Sequence, residues 1–128
     1  MVNVAGDGDF LMNGQELATA TGYGAGRGPG KLVSIVVDNG SYGTIRMHQE
    51  REYPGRVSGS DLFNPDFAAL ARAYGWRGES IDRTEAFEPA LVKAIEAGTP
   101  TLFHVKLDSD VITTRTTLSA IRSAAQAR

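Results

Sequence analysis

Cysteine is absent from the 128 residues, so neither a disulfide framework nor a thiolate metal site is open to this chain. A reducing compartment such as the cytoplasm suits it. No apolar run approaches the roughly 20 residues that span a bilayer, and Val2-Asn3-Val4-Ala5 is too short and too uncharged for a signal peptide. Positive charge is not in excess either. Thirteen Lys and Arg stand against 15 Asp and Glu, a formal net charge of -2, so no broad field gathers a polyanion and nucleic acid is set aside as a partner. There is no internal repeat and no shortage of apolar residues. Hydrophobic content of 41% with 22% charged residues lies well away from the composition of chains that stay unfolded. The length fits a single domain over residues 1–128 with a real core, and a second independent domain is not expected.

What is present alternates between two periods. Val2 to Ala5 reads as a buried strand stopping at a tight turn, Gly6-Asp7-Gly8. Asn13 is placed to cap a helix running to about Tyr23. Gly24 to Gly30, rich in glycine with one proline, reads as a surface connection. Leu32 to Val37 is almost wholly apolar or β-branched, as in a parallel strand covered on both faces, and it ends in Asp38-Asn39-Gly40. A helix is predicted from Tyr42 to about Glu52. Asn64 and Pro65 predict a cap and first turn for an amphipathic helix carrying Phe67, Leu70, Ala71 and Tyr74 and closed by Gly75. Glu79-Ser80-Ile81 predicts a short strand, Thr84 a cap for a helix to Gly98, Thr101 to Leu107 a last strand, and Leu118 to Ala127 a final helix. Strands alternating with helices predict a three-layer α/β/α architecture around a mostly parallel sheet. In such sheets ligands bind where strands end, which directs attention to Gly6–Gly8 and Asp38–Tyr42.

Asp7 lies between two residues without Cβ, so a phosphate can approach the backbone there, yet the carboxylate alone would repel it. A hard cation removes the conflict, because Mg²⁺ takes oxygen ligands and bridges a carboxylate to a diphosphate. Asn39 offers an amide oxygen at the next strand end, and Gly40 lets the chain turn so that the Ser41 carbonyl faces the same ion. The helix starting near Tyr42 adds unpaired backbone N–H groups and a positive dipole end. Gly-Asp-Gly and Asp-Asn-Gly are each common turns, and each alone is more often punctuation than ligand. Following two strands and preceding two helices, they reinforce one another.

These residues resemble the thiamine-diphosphate-dependent enzymes, whose metal-binding motif opens with Gly-Asp-Gly and closes with an asparagine pair. Gly-Asp-Gly-Asp-Phe-Leu-Met-Asn-Gly-Gln-Glu-Leu from Gly6 to Leu17 and Asn-Gly-Ser-Tyr-Gly-Thr-Ile from Asn39 to Ile45 are similar to the acetolactate synthase, benzoylformate decarboxylase and pyruvate oxidase branch. The resemblance implies a thiamine-diphosphate-binding fold, truncated at its N-terminus, with thiamine diphosphate and Mg²⁺ as cofactors. Asp7 and Asn39 are the implied side-chain ligands of Mg²⁺, the Ser41 carbonyl is a third, and Gly6, Gly8, Asp9, Ser41, Tyr42 and Gly43 are implied near the diphosphate. Two features depart from the pattern: Asp38 stands where the first asparagine is usual, adding a negative charge, and the stretch from Gly24 to Lys31 is longer and richer in glycine, as a surface bulge would be.

In that family a glutamate from another domain, on a partner chain, activates the cofactor, and nothing in this sequence matches it. Glu16 reads as structural. No catalytic residue is therefore expected here, and the chain alone is expected to be an incomplete catalyst. The implied function is to hold the metal-diphosphate part of the cofactor as the C-terminal portion of a 2-keto acid decarboxylase or carboligase, a lyase or transferase. A homo-oligomer or a pyrimidine-binding domain is the implied partner. The rival reading is a non-catalytic binding or self-association module using an exposed sheet edge, and a weaker one is a response-regulator-like Mg²⁺-phosphate domain. His48 reads as a surface histidine and His104 as structural. Tyr42, Ile45 and Met47 read as core or pocket lining. Arg46, Glu50, Arg51 and Arg56, like Arg115, Arg122 and Arg128, read as solvated charge.

Overall fold

The computed structural model describes residues 1–24 and 32–128 and resolves into two compact units, Met1–Asp38 with Asn64–Lys106 and Asn39–Phe63 with Leu107–Arg128. Most of the expected glycine-rich connection, residues 25–31, lies outside the described residues. In chain order the elements are β1 (Val2–Gly6), α1 (Asp7–Asn13), α2 (Glu16–Gly22), β2 (Val33–Asp38), α3 (Gly43–Glu52), α4 (Phe67–Ala73), β3 (Arg77–Ile81), α5 (Thr84–Ala97), β4 (Thr101–Lys106), β5 (Val111–Thr113), β6 (Thr116–Thr117) and α6 (Leu118–Gln126).

The first unit is built on a four-stranded parallel sheet in the order β1-β2-β4-β3. The apolar run of β2 lies inside the sheet, where both faces need covering. Alternation along β2 and β4 sends Val36 and Leu102 into one cluster with Phe10, Leu17, Phe67, Ala71 and Trp76, from α1, α2, α4 and the turn after α4. It sends Val33, Ile35 and Phe103 into the opposite cluster with Ile81 and with Ala90 and Ala94 of α5. Helices thus cover both faces of a parallel sheet, the three-layer α/β/α arrangement expected of this sequence.

Several local expectations are corrected. β1 was expected to be buried, but among the described residues it is an edge strand paired with β2 alone, and Val2 and Val4 are 52% and 64% exposed. Gly6-Asp7-Gly8 is not a free turn: Gly6 is the extended N-cap and Asp7 opens α1, so the short apolar run passes straight into helix. Asn13 ends α1 rather than capping a helix. Asn64 does not cap α4; the Asp66 carboxylate accepts from the Ala69 N–H at 3.0 Å and does so instead. Arg83 rather than Thr84 holds the N-cap position of α5, which Gly98 ends in the left-handed conformation at φ 67°.

The second unit contains α3, α6 and the antiparallel β5–β6 pair, which periodicity did not reveal. Thr117 caps α6 by accepting from the Ala120 N–H at 3.1 Å. Glu50, expected on a solvated face, is fully buried. It accepts from Arg122 Nε at 2.9 Å, from Arg122 Nη2, and from the Gly55 N–H at 2.9 Å, so it clamps α3 to α6. The Arg122 hydrogen bond holds its carboxyl below the ordinary value of 4.5. Arg46 pairs with Asp61 and donates to Ser60 Oγ, so it too is engaged rather than simply solvated.

Candidate functional site

At the C-terminal end of β1 in the first unit, Asp7 is only 4% exposed. Its Oδ1 accepts from the Gly8 N–H at 3.0 Å, and its Oδ2 accepts from Asn64 Nδ2 at 2.7 Å. The same Nδ2 donates to Asp38 Oδ1, also at 2.7 Å. Asp38, 5% exposed at the end of β2, presents its other oxygen to His104 Nε2 at 2.6 Å and Lys106 Nζ at 2.7 Å. Parallel register makes this possible, because Asp38 lies beside Lys106 and Val36 beside His104, and period-two alternation sends Asp38, His104 and Lys106 to one face. The additional negative charge expected from Asp38 is therefore met by a lysine ammonium. Against that ionised carboxylate, His104 Nε2 acts as the donor.

His104 is 1% exposed, stacks edge-on against Phe67 with ring centroids 4.9 Å apart, and has no hydrogen bond at Nδ1 among the described residues. That nitrogen is 3.7 Å from Asp66 Oδ1.

In the second unit, Asn39, Gly40 and Ser41 form a tight turn. Gly40 has φ 67°, a region that favours glycine, and Asn39 Oδ1 accepts the Ser41 N–H at 3.1 Å. The turn is tied down by Leu62 N–H to Gly40 O and Tyr42 N–H to Ser60 O, both at 2.9 Å. Gly43 lies close to two side-chain ends: a Cβ there would fall 2.8 Å from Ile112 Cδ1 and 2.9 Å from Asn39 Nδ2, so its absence leaves the Asn39 amide room where it lies. Ser41 is 6% exposed and its Oγ has no hydrogen-bond partner among the described residues.

Gly6, Asp7, Gly8 and Asp9 thus belong to the first unit, and Asn39, Ser41, Tyr42 and Gly43 to the second. Asp9, Glu16 and His48 are exposed, Gly8 is buried, and Tyr42 is half-buried as the N-cap of α3. Ile45 is 53% exposed, which removes it from any core of the described chain. Sequence reasoning missed Asn64, Asp38, His104 and Lys106 as a connected group. The two-residue spacing of His104 and Lys106 was a signal for one shared face; the strand pairing that brings them to Asp38 was not. A separate cavity of about 320 Å³ in the first unit is lined by Asn3, Asp9, Phe10, Glu16, Ser34 and Trp76 among others, without Asp7. Among the described residues, no three of His, Cys, Asp and Glu form a metal cluster, and no helix is long and apolar enough to cross a membrane.

An open parallel sheet flanked by helices belongs to the class of α/β folds whose ligands bind beyond the carboxyl ends of the strands. Residues 1–105 match the family model described as "Thiamine pyrophosphate enzyme, C-terminal TPP binding domain", and the chain belongs to this family. It is 42% identical over 107 residues to the acetolactate synthase large subunit of Parasynechococcus marenigrum, a match covering 82% of this chain and 16% of that protein. It is 37% identical over 109 residues to the acetolactate synthase isozyme 2 large subunit of Escherichia coli, covering 84% of this chain and 19% of that one. The chain therefore spans less than a fifth of these relatives. The crystal structure of benzoylformate decarboxylase from Polynucleobacter necessarius shares the fold, with a TM-score of 0.73 at 22% identity over 87% of this chain and 20% of that one.

Proposed function

We propose that this chain holds the metal-diphosphate part of thiamine diphosphate within a 2-keto acid decarboxylase or carboligase of the acetolactate synthase kind, all 128 residues serving one cofactor-binding domain. The observation that carries the reading is the family match, which runs through both the Asp7 and Asn39 motifs. Asp7 and Asn39 would supply side-chain oxygens and Ser41 its carbonyl to Mg²⁺, with Gly6, Gly8, Asp9, Tyr42 and Gly43 beside the diphosphate. The donor set fits the ion: a carboxylate, a carboxamide and a carbonyl are the hard oxygen ligands that Mg²⁺ takes, and the remaining positions suit phosphate oxygens and water. The buried, unpartnered Ser41 hydroxyl supports a polar ligand at the second turn, because such a group costs free energy until it is paired.

Thiamine diphosphate, when bound, supplies a carbon nucleophile for a keto carbonyl and an electron sink for the pair left behind as carbon dioxide departs. The residues of this chain bind and orient; none is assigned a proton transfer. The glutamate and pyrimidine-binding surface that such chemistry needs would come from a partner domain or a second protomer, in the cytoplasm. Calorimetric titration with thiamine diphosphate and Mg²⁺ tests the reading. Binding is expected, and Asp7→Ala is expected to abolish it; equal heats for the two proteins would overturn the metal assignment.

A second reading, self-association through a sheet edge, is favoured by the exposed apolar side chains of β1. Size measured by light scattering is expected to grow with concentration if it holds.

A further inference from the structure

We propose that Asn64 is the positioning residue for the Asp7 carboxylate, and that Asp38, held by Lys106 and His104, fixes the direction in which Asn64 donates. The proposal rests on the reading of Asp7 as a metal ligand. It adds Asn64, His104 and Lys106, which neither motif contains.

A carboxamide can present either its oxygen or its NH₂ group to a neighbour, whereas an ionised carboxylate only accepts. Asp38 receives Lys106 Nζ and His104 Nε2 on Oδ2, so its Oδ1 faces Asn64 as an acceptor. Asp7 Oδ2 faces Asn64 from the other side. With an acceptor on each side, only the NH₂ orientation satisfies both, and Nδ2 has two hydrogens, one for each 2.7 Å contact. The reversed amide would set its oxygen against both carboxylates. Asn64 Oδ1 is accordingly turned away, buried and without a hydrogen bond to any described residue.

The consequence falls on Asp7. Its Oδ2 is held by Asn64 and its Oδ1 by the Gly8 N–H, so rotation of the carboxylate is restrained at both oxygens. A ligand held this way does not need ordering when the metal arrives, which is how partners outside the coordination sphere raise metal affinity. The relay runs from Lys106 and His104 through Asp38 and Asn64 to Asp7, entirely inside the first unit.

The test uses the 128-residue chain with thiamine diphosphate and Mn²⁺, following free Mn²⁺ by electron paramagnetic resonance, with the metal-free thermal midpoint as control. Asn64→Ala is expected to weaken Mn²⁺ binding by about tenfold, the lower end for loss of such an outer partner, while keeping a cooperative metal-free transition. Asp38→Asn, which still has an oxygen to accept with, is expected to weaken it less. Wild-type affinity in Asn64→Ala overturns the positioning role and leaves the metal site standing. No Mn²⁺ binding by the unsubstituted chain removes the metal site and this inference together. If Asn64→Ala does not fold, Lys106→Met decides: weaker binding with an intact transition supports the relay, and unchanged binding overturns it.

Discussion

Glu50 sits among Arg46, His48, Gln49, Arg51 and Glu52 on α3, so nothing in its neighbourhood marks it as buried. Its burial is decided by Arg122, 72 residues away in sequence, whose guanidinium reaches it from α6. Charge-assisted hydrogen bonds of this kind contribute about 1.5–3 kcal/mol each. Glu50→Gln keeps the shape but loses the charge, and it is expected to destabilise the chain by about 2 kcal/mol, read as a lower urea midpoint with an unchanged slope. The same reasoning explains why Asn64 looked like a helix cap. Asn before Pro is a sound local signal for a helix start, yet two carboxylates brought up by β1 and β2 outbid the backbone for its amide, and Asp66 took the cap.

Among the elements, α4 and β3 approach closely at a glycine. A Cβ at Gly78 would lie 2.0 Å from the Ala68 carbonyl oxygen and 2.7 Å from its carbonyl carbon, so helix and strand approach backbone to backbone. Gly75, three residues earlier, has open space around it but φ 82°. The two therefore separate close approach from backbone strain. Gly75→Ala is expected to cost about 1–2 kcal/mol, the penalty for a side chain in the left-handed region. Gly78→Ala is expected to cost about 3 kcal/mol or more, because rigid backbone must move. Chemical denaturation of both variants checks the order, and equal losses would mean the α4–β3 approach is looser than described. Gly75 was legible as a helix stop. Gly78 was not, since only the packed helix shows why it cannot bear a methyl group.

At the scale of the molecule, acid stability draws on carboxyls held below their ordinary values, three of them among the described residues. Arg122 lowers Glu50, the Ala69 N–H lowers Asp66, and the Ser119 hydroxyl and N–H lower Asp110. Each is more acidic folded than unfolded, so its contribution is complete above the unfolded values, 4.5 for Glu and 3.8 for Asp, and is lost as pH falls through the lower folded ones. Urea midpoints are expected to fall progressively below about pH 4.5, and less steeply in Glu50→Gln, which lacks one of the three groups.

Periodicity, glycine placement and the two strand-end motifs were enough to determine the α/β class, β2, α3 and α6 to within a residue or two, and the family resemblance, because all of these are written in spacings of a few residues. The exposure of β1, the burial of Glu50 and the linkage of Asp7 to Asp38 through Asn64 were decided only by tertiary structure. Each depends on which strand or helix lies alongside. Such neighbours are far apart in the chain, and a hydrogen bond forms with whatever folding brings within its reach of about 3 Å.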